Sequence, residues 1–296
     1  MSAVPFALGE LPRHDVYLRR WRKTKNSFFL SLIGLSLFVA AVPLVLIVYY
    51  VVRKGAGVVD MDFLTKPIPI LSRSQGPGMS AAIVGTLLIT AGATLMAVPL
   101  GILAAVYLNE YGQRGRLATV IRTMSDVMTG VPSIVMGLFI FTIWVLQYGF
   151  SGFAGSLALA ALMLPIVIRS SEEILRLVPA GLREASLALG ASRSRTILKV
   201  VLPAAIPGIT SGALLAVARA AGETAPLLFT IGAARTPNVD LLKGANTALS
   251  AQIFINAQKP FVGAQERAWG AALTLMAIVL ILMILARLVT RRFATR

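Results

Sequence analysis

Two ionisable side chains stand one helical turn apart in an otherwise apolar run, Leu214-Leu215-Ala216-Val217-Ala218-Arg219-Ala220-Ala221-Gly222-Glu223-Thr224-Ala225-Pro226. A charge at the centre of a bilayer costs at least roughly 2.5 to 3.5 kcal/mol on insertion scales, so Arg219 and Glu223 both need compensation. Two readings fit their spacing. A guanidinium and a carboxylate at i and i+4 share one helix face and neutralise each other. Alternatively they line a polar pathway, in which Arg219 offers a planar fork of donors matched to an oxyanion. Gly222 and Pro226 predict an irregular helix, which at membrane depth is tolerated only against protein or a water-filled cavity. Other chemistry is scarce. The chain has no Cys and one His, His14, which removes thiolate nucleophiles, iron–sulfur clusters and His- or Cys-based metal sites, and no cofactor is expected. It contains no Gly-Lys pair, so it cannot hydrolyse ATP through a Gly-x-x-x-x-Gly-Lys-Ser/Thr loop. An ATPase, if transport needs one, belongs to another subunit, and the chain is not expected to be an enzyme.

The elements that must position these residues are membrane helices. Of 296 residues, 57% are hydrophobic and 14% charged, against about 25% charged in a soluble domain. A span needs roughly 20 apolar residues, and the uncharged runs predict an all-α protein with six. The first is Ser27 to Val52, within a segment 27–53. The second is Ser80 to Leu108, with a kink expected at Pro99. No charge occurs between Asp126 and Arg169, a run long enough for spans three and four, with the turn at Gln147-Tyr148-Gly149-Phe150-Ser151-Gly152. Span five runs from about Ala204 to Ile231, and span six from Ala268 to Ala286. The first span is too long for a signal-peptide core, and Arg53-Lys54 follows it where a small-residue cleavage site would be; it is read as a retained anchor. The chain then divides into a basic tail 1–26, the first helix, an external loop 54–79, a five-helix core 80–290 that includes an internal connection 170–203 and an external loop 232–267, and a tail 291–296.

The net charge of +16 serves mainly to orient these spans. The termini, the loop after span two and the segment after span four carry 19 Lys and Arg; the opposite side carries 8. By the positive-inside rule both termini are cytoplasmic. No basic segment is interleaved with stacking aromatics, so nucleic acid is not an expected partner; the lipid bilayer is. Asp126, near the inner end of span three, fits a helix-capping carboxylate or a gate. Gly208-Ile209-Thr210-Ser211-Gly212 has the small-xxx-small spacing that lets membrane helices approach closely.

The long internal connection is 170–203. Ser170 and Glu173 have capping-box spacing, Pro179 breaks the chain, Leu182, Ala185 and Leu189 share a face, Gly190 permits a sharp turn and Ser192 can cap a further helix through Val201. Two short helices at an angle are expected. On pattern alone this is either a surface hairpin that links two spans or a docking element. The spacing Glu184-Ala185-Ser186-x-x-x-Gly190, followed by Val200-x-Leu202-Pro203, resembles the EAA loop of ABC importer permeases, with Ser at its third position and Val for the usual Ile. The resemblance implies that Glu184, Ala185, Ser186, Gly190, Val200, Leu202 and Pro203 belong to a coupling segment that docks into an ATPase subunit.

Three further stretches narrow the resemblance. Ala218 to Thr230, Gly130-Val131-Pro132-Ser133-Ile134-Val135-Met136-Gly137-Leu138-Phe139 and Leu164-Pro165-Ile166-Val167-Ile168-Arg169-Ser170-Ser171-Glu172 are similar to segments of the phosphate-specific ABC importer permeases of the PstA type. Similarity extends from about residue 80 to the end. It implies a six-span permease with a MetI-like core in a bacterial inner membrane. Its implied partners are a PstC-like sister permease, a PstB-like ATPase dimer and a PstS-like phosphate-binding protein. Arg169, Arg219, Glu223 and Thr224 are then candidates for the substrate path. A permease for sulfate or molybdate fits the same arginine, and a secondary transporter coupled to protons through Glu223 is the rival from another class.

Overall fold

The computed structural model describes residues 13–74, 76, 78–112 and 115–294. Residues 1–12 of the basic tail, 75, 77, 113–114 and 295–296 lie outside it. Among the described residues the chain is all-α. Residues up to Val52 form one unit and those from Arg53 another. The first is a single helix, α1 (Arg13–Gly55). It begins well inside the segment read as a tail and carries an apolar stretch long enough to cross a membrane.

In the second unit, α2 (Met61–Thr65) is capped by Asp60, which accepts from the Phe63 N–H at 2.6 Å. Helix α3 (Ser80–Tyr111) follows; Pro99 lies within it without ending it, and its last turn, from Tyr107 to Tyr111, is π-helical. Next come α4 (Arg116–Gly130), α5 (Ser133–Tyr148) and α6 (Gly152–Leu177). The expected turn between spans three and four is present: Gly149 has φ +83°, and Ser151 Oγ accepts from the Ala154 N–H at 3.2 Å.

Span three differs from expectation. The uncharged run from 127 hides a break: α4 and α5 meet at 105°. Proline disfavours a helical residue before it, and Val131 is extended at φ −70°, ψ 126° ahead of Pro132. What remains of the span is α5, about 24 Å long at 1.5 Å per residue. Asp126 therefore lies near the end of α4 rather than at the start of a span, where it cannot cap.

The capping box at Ser170 and Glu173 does not start a helix either. Helix α6 runs through both without interruption, so no free N–H awaits a cap, and Ser170 Oγ instead donates to the Val167 carbonyl at 3.3 Å. The helix ends at Leu177 before Pro179, as the proline requires. The connection holds one short helix, α7 (Ala180–Ala188), where two were expected. At Gly190, φ +80°, the chain reverses through a Schellman-type cap: Gly190 N–H donates to Leu187 and Ala191 N–H to Ser186. Ser192 then caps α8 (Arg193–Gly222), accepting from Arg195 N–H, and this helix continues unbroken into span five.

Span five stops at Gly222. Glu223 is extended, at φ −69°, ψ 131°, and α9 (Ala225–Thr230) resumes after it. The loop beyond contains α10 (Leu249–Ala257), with Leu249, Ser250, Ala251, Gln252 and Asn256 buried. Helix α11 (Val262–Ala294) starts earlier than expected. It includes Arg267, which is 2% exposed and donates to the carbonyls of Ser72 (2.7 Å) and Ser74 (2.5 Å), fastening the loop after α2.

The core lies between α3, α6, α8 and α9, built on Ile89, Ala93, Leu159, Met163, Val167, Ala216, Ala220, Leu227 and Ile231. In lipid no hydrophobic force drives helices together, so association rests on close contact and hydrogen bonds. Glycine notches supply the contact. A Cβ at Gly101 would stand 2.6 Å from Val167, at Gly208 2.6 Å from Ile174 and at Gly212 2.5 Å from Ser170. The small-xxx-small stretch thus seats α8 against α6.

Candidate functional site

Both breaks in the spans open onto one cavity of about 310 Å³. Its wall is the end of α4, Val131-Pro132, Ser133 at the start of α5, Leu162, Met163 and Ile166 of α6, and Ala216, Arg219, Ala220 and Glu223. It is roomy enough to hold water. That is the setting in which unwound backbone is tolerated at membrane depth, and the freed groups are satisfied locally. Ser250 Oγ of α10 donates to the Glu223 carbonyl at 2.9 Å, and the Thr224 carbonyl accepts from Leu227 and Leu228 at 3.1 and 3.2 Å.

The two breaks are also locked together. A Cβ at Gly137 of α5 would stand 2.6 Å from Pro226 Cα, so α5 and α9 pack backbone to backbone and hold the Ser133 end opposite Arg219. Arg219 and Glu223 do pair, but loosely: Nε to Oε1 is 3.8 Å, with side chains 68% and 22% exposed. Glu223 is the one partner of Arg219 among the described residues. The donor fork is therefore mostly uncommitted and faces open space, which is what an anion-contacting arginine requires. Thr224 caps α9 through its backbone and is half-buried.

Arg169 is elsewhere. It pairs with Asp126 and lies 3.5 Å from Glu172, away from the Arg219 cavity wall. Glu172 is 1% exposed and accepts also from Arg122 Nε at 2.8 Å and Arg176 Nη2 at 2.6 Å. Asp126, expected as a cap or a gate, thus joins α4 to α6.

Of the segment expected to couple to an ATPase, Glu184 and Ala185 are exposed on α7, while Val200, Leu202 and Pro203 lie at the base of α8. Ser186 Oγ is 2.9 Å from Thr196 Oγ1, linking the two parts. Sequence reasoning missed Glu110, whose carboxylate accepts from Arg183 Nη2 at 2.9 Å, and gave Glu172 no role. A signal was present: both are acids on the strongly basic side of a chain with 28 Lys and Arg against 12 Asp and Glu.

Residues 97–295 match the family model of the binding-protein-dependent transport system inner membrane component. The chain belongs to that family. Its similar relatives include the phosphate transport system permease protein PstA 1 of Mycobacterium tuberculosis (strain CDC 1551 / Oshkosh), 42% identical over 93% of this chain and 91% of the relative. PstA of Mycobacterium leprae is 45% identical over 87% and 86%, and PstA of Yersinia pestis 42% over 91% of each. The fold is that of ABC importer permeases with a MetI-like core. A bacterial ABC transporter involved in alginate import superposes with TM-score 0.56 at 18% identity over 93% of this chain and 99% of that one. The MetNI methionine transporter does so with 0.52 at 20%, over 73% and 92%. As a member of the inner membrane component family, the chain is a multi-pass transport component.

Proposed function

We propose that this chain is the transmembrane permease subunit of an ATP-driven phosphate importer. It forms the translocation path with a PstC-like sister permease and works with a PstB-like ATPase dimer and a PstS-like phosphate-binding protein. Both termini face the cytoplasm of a bacterial cell, consistent with the 19 to 8 split of basic residues. The observation that carries the reading is the cavity at Arg219, bordered by all three of the stretches that resemble phosphate permeases, in a chain whose relatives are named phosphate transport system permeases.

The mechanism is alternating access. Closure of the ATPase pair on ATP moves α7, through Glu184, Ala185 and Ser186, with Gly190 as the turn and Val200, Leu202 and Pro203 at the base of α8. The path opens outward, and phosphate moves from the binding protein towards Arg219. The fork offsets part of the anion's desolvation, and the start of α5 at Ser133 adds the positive end of a helix dipole. Glu223 holds Arg219 only loosely, so exchange of the carboxylate for phosphate leaves no strong pair to break. Arg169, fixed by Asp126 and Glu172, lines a later stage of the path.

The test is the double variant Arg219→Gln with Glu223→Gln in the assembled complex. It removes both charges together, so insertion and assembly persist, while phosphate uptake in proteoliposomes is lost. Uptake near the unaltered rate would overturn the role of Arg219. Uptake of sulfate or molybdate in place of phosphate would reassign the substrate.

A further inference from the structure

We infer that Glu110, in the π-helical last turn of α3, is the positioning residue that receives the motion of α7: with Arg183 it forms the joint through which α7 moves the ends of α3 and α6 as one body. The inference rests on the proposal that α7 couples to an ATPase.

The argument begins with how little else holds α7. None of its residues is buried, and Leu182, Leu187 and Leu189 are exposed, so apolar packing does not fix it to the bundle. Among the described residues its hydrogen-bonded side-chain attachments are the Ser186 to Thr196 hydroxyl contact and Arg183, besides the chain at either end. That one guanidinium reaches three acceptor groups on two elements. Nη1 donates to the Val178 carbonyl at 2.6 Å, Nη2 to the Leu175 carbonyl at 3.0 Å, and Nη2 and Nε to Glu110 Oε1 at 2.9 and 3.2 Å. The two carbonyls lie at the C-terminal end of α6, where helix carbonyls run out of intrahelical partners; that of Leu175 also accepts from the Val178 N–H at 3.4 Å. Glu110 is 73 residues away in sequence and is the long-range contact.

Glu110 is built to carry load. Its side chain is 8% exposed, where a charge-assisted bond is little weakened by water. Asn109 Nδ2 donates to the same Oε1 at 2.7 Å. The Glu110 main-chain carbonyl accepts from Arg193 at the start of α8, and the Arg193 guanidinium lies 4.9 Å above the Tyr111 ring. A π-helical turn shifts the angular position of the residues it contains, and such turns recur at functional positions; this one coincides with the residue that meets Arg183. A displacement of α7 therefore pulls on α3 through Glu110 and on α6 through Leu175 and Val178, with Arg183 common to both.

The test uses the whole complex in proteoliposomes, with ATP hydrolysis and inorganic phosphate uptake measured together. Glu110→Ala is expected to leave ATP hydrolysis running and to lower phosphate taken up per ATP at least tenfold. The second variant joins Glu110→Cys with Arg183→Cys in a complex whose other subunits lack cysteine. Unbridged, it should be as uncoupled as Glu110→Ala. A short reducible bis-methanethiosulfonate bridge should restore uptake per ATP, and reductant should abolish it again. Both readings come from one preparation, so a folding defect cannot imitate the result. Unchanged uptake per ATP in Glu110→Ala overturns the inference, and so does a bridge that fails to restore uptake per ATP, since a rigid link between α7 and α3 would then not be what couples them. The coupling reading fails separately, if the unaltered complex imports phosphate without hydrolysing ATP.

Discussion

Glu172 and Asp126 allow the weight of burial to be measured with one chemical change. Both carboxylates face Arg169, and both can be changed to the amide of the same shape. Glu172 has a side chain 2% exposed, set among Arg122, Arg169 and Arg176, which are 24%, 31% and 55% exposed. Removing one member of a buried ion pair costs about 3–5 kcal/mol; the arginines keep some water and the amide still accepts a hydrogen bond, so Glu172→Gln belongs at about 3 kcal/mol. The Asp126 side chain is 61% exposed, and an exposed pair contributes about 0–1 kcal/mol. For a chain of this size roughly 2–4 °C accompanies each kcal/mol. Glu172→Gln should thus lower the unfolding midpoint of the complex in nanodiscs by about 6–12 °C, and Asp126→Asn by less than about 4 °C. Differential scanning fluorimetry on the intrinsic tryptophans reads both. Equal shifts would refute the claim that burial, and not the shared arginine, sets the cost.

Gly190→Val places a β-branched residue at φ +80°, a strain of about 1 kcal/mol or more; the subunit should insert while ATP-driven uptake fails, and normal uptake would make the loop a linker only. Gly137→Val meets Pro226 backbone, where a Cβ already stands 2.6 Å from Cα, and should cost about 1–3 kcal/mol in thermal stability, whereas Gly130→Val, with nothing within 4 Å of its Cβ, should add no clash. For sidedness, cysteines placed singly by Ser2→Cys and Lys243→Cys should label from opposite faces of the membrane. Lys243 is exposed, unlike nearby Asn246 at 1%, and labelling from the same face would end the six-span topology.

The spans were legible because a run of some 20 apolar residues has few other uses. Gly149, Gly190, Pro179 and Ser192 were legible for a different reason, since each acts on its own local backbone. The interruption after Gly222 was anticipated from Gly222 and Pro226 for the same cause. The bend at Val131-Pro132 is also local, but it lies in an uncharged run where hydropathy registers no boundary, and Pro132 was its one mark. The rest of what the sequence concealed was non-local. The Ser170 and Glu173 pattern matched a helix start, yet α6 was already formed by packing on α3 and α8, and tertiary contact overrode the local signal. Arg219 and Glu223 could be paired on paper, but not the slack of 3.8 Å between them. Arg169 was grouped with them by the family resemblance, and the fold shows it paired with Asp126 and Glu172. Glu110 and Arg183 stand 73 residues apart, beyond any periodicity.

The notches that α3 and α8 present to α6 make the evolutionary tolerance of this bundle one-sided. At Gly101, Gly208 and Gly212 a Cβ would collide with Val167, Ile174 and Ser170, so neighbouring helices would have to separate and lose contacts that lipid does not replace. Trimming the side chain that fills a notch leaves a small void at a lesser cost, about 0.5–1.5 kcal/mol for a change such as Ile→Val. Drift should therefore accumulate on the knobs of α6 and be nearly absent from the sockets. A mutational library for this bundle should find its tolerated changes at Val167 and Ile174, with the three glycines fixed.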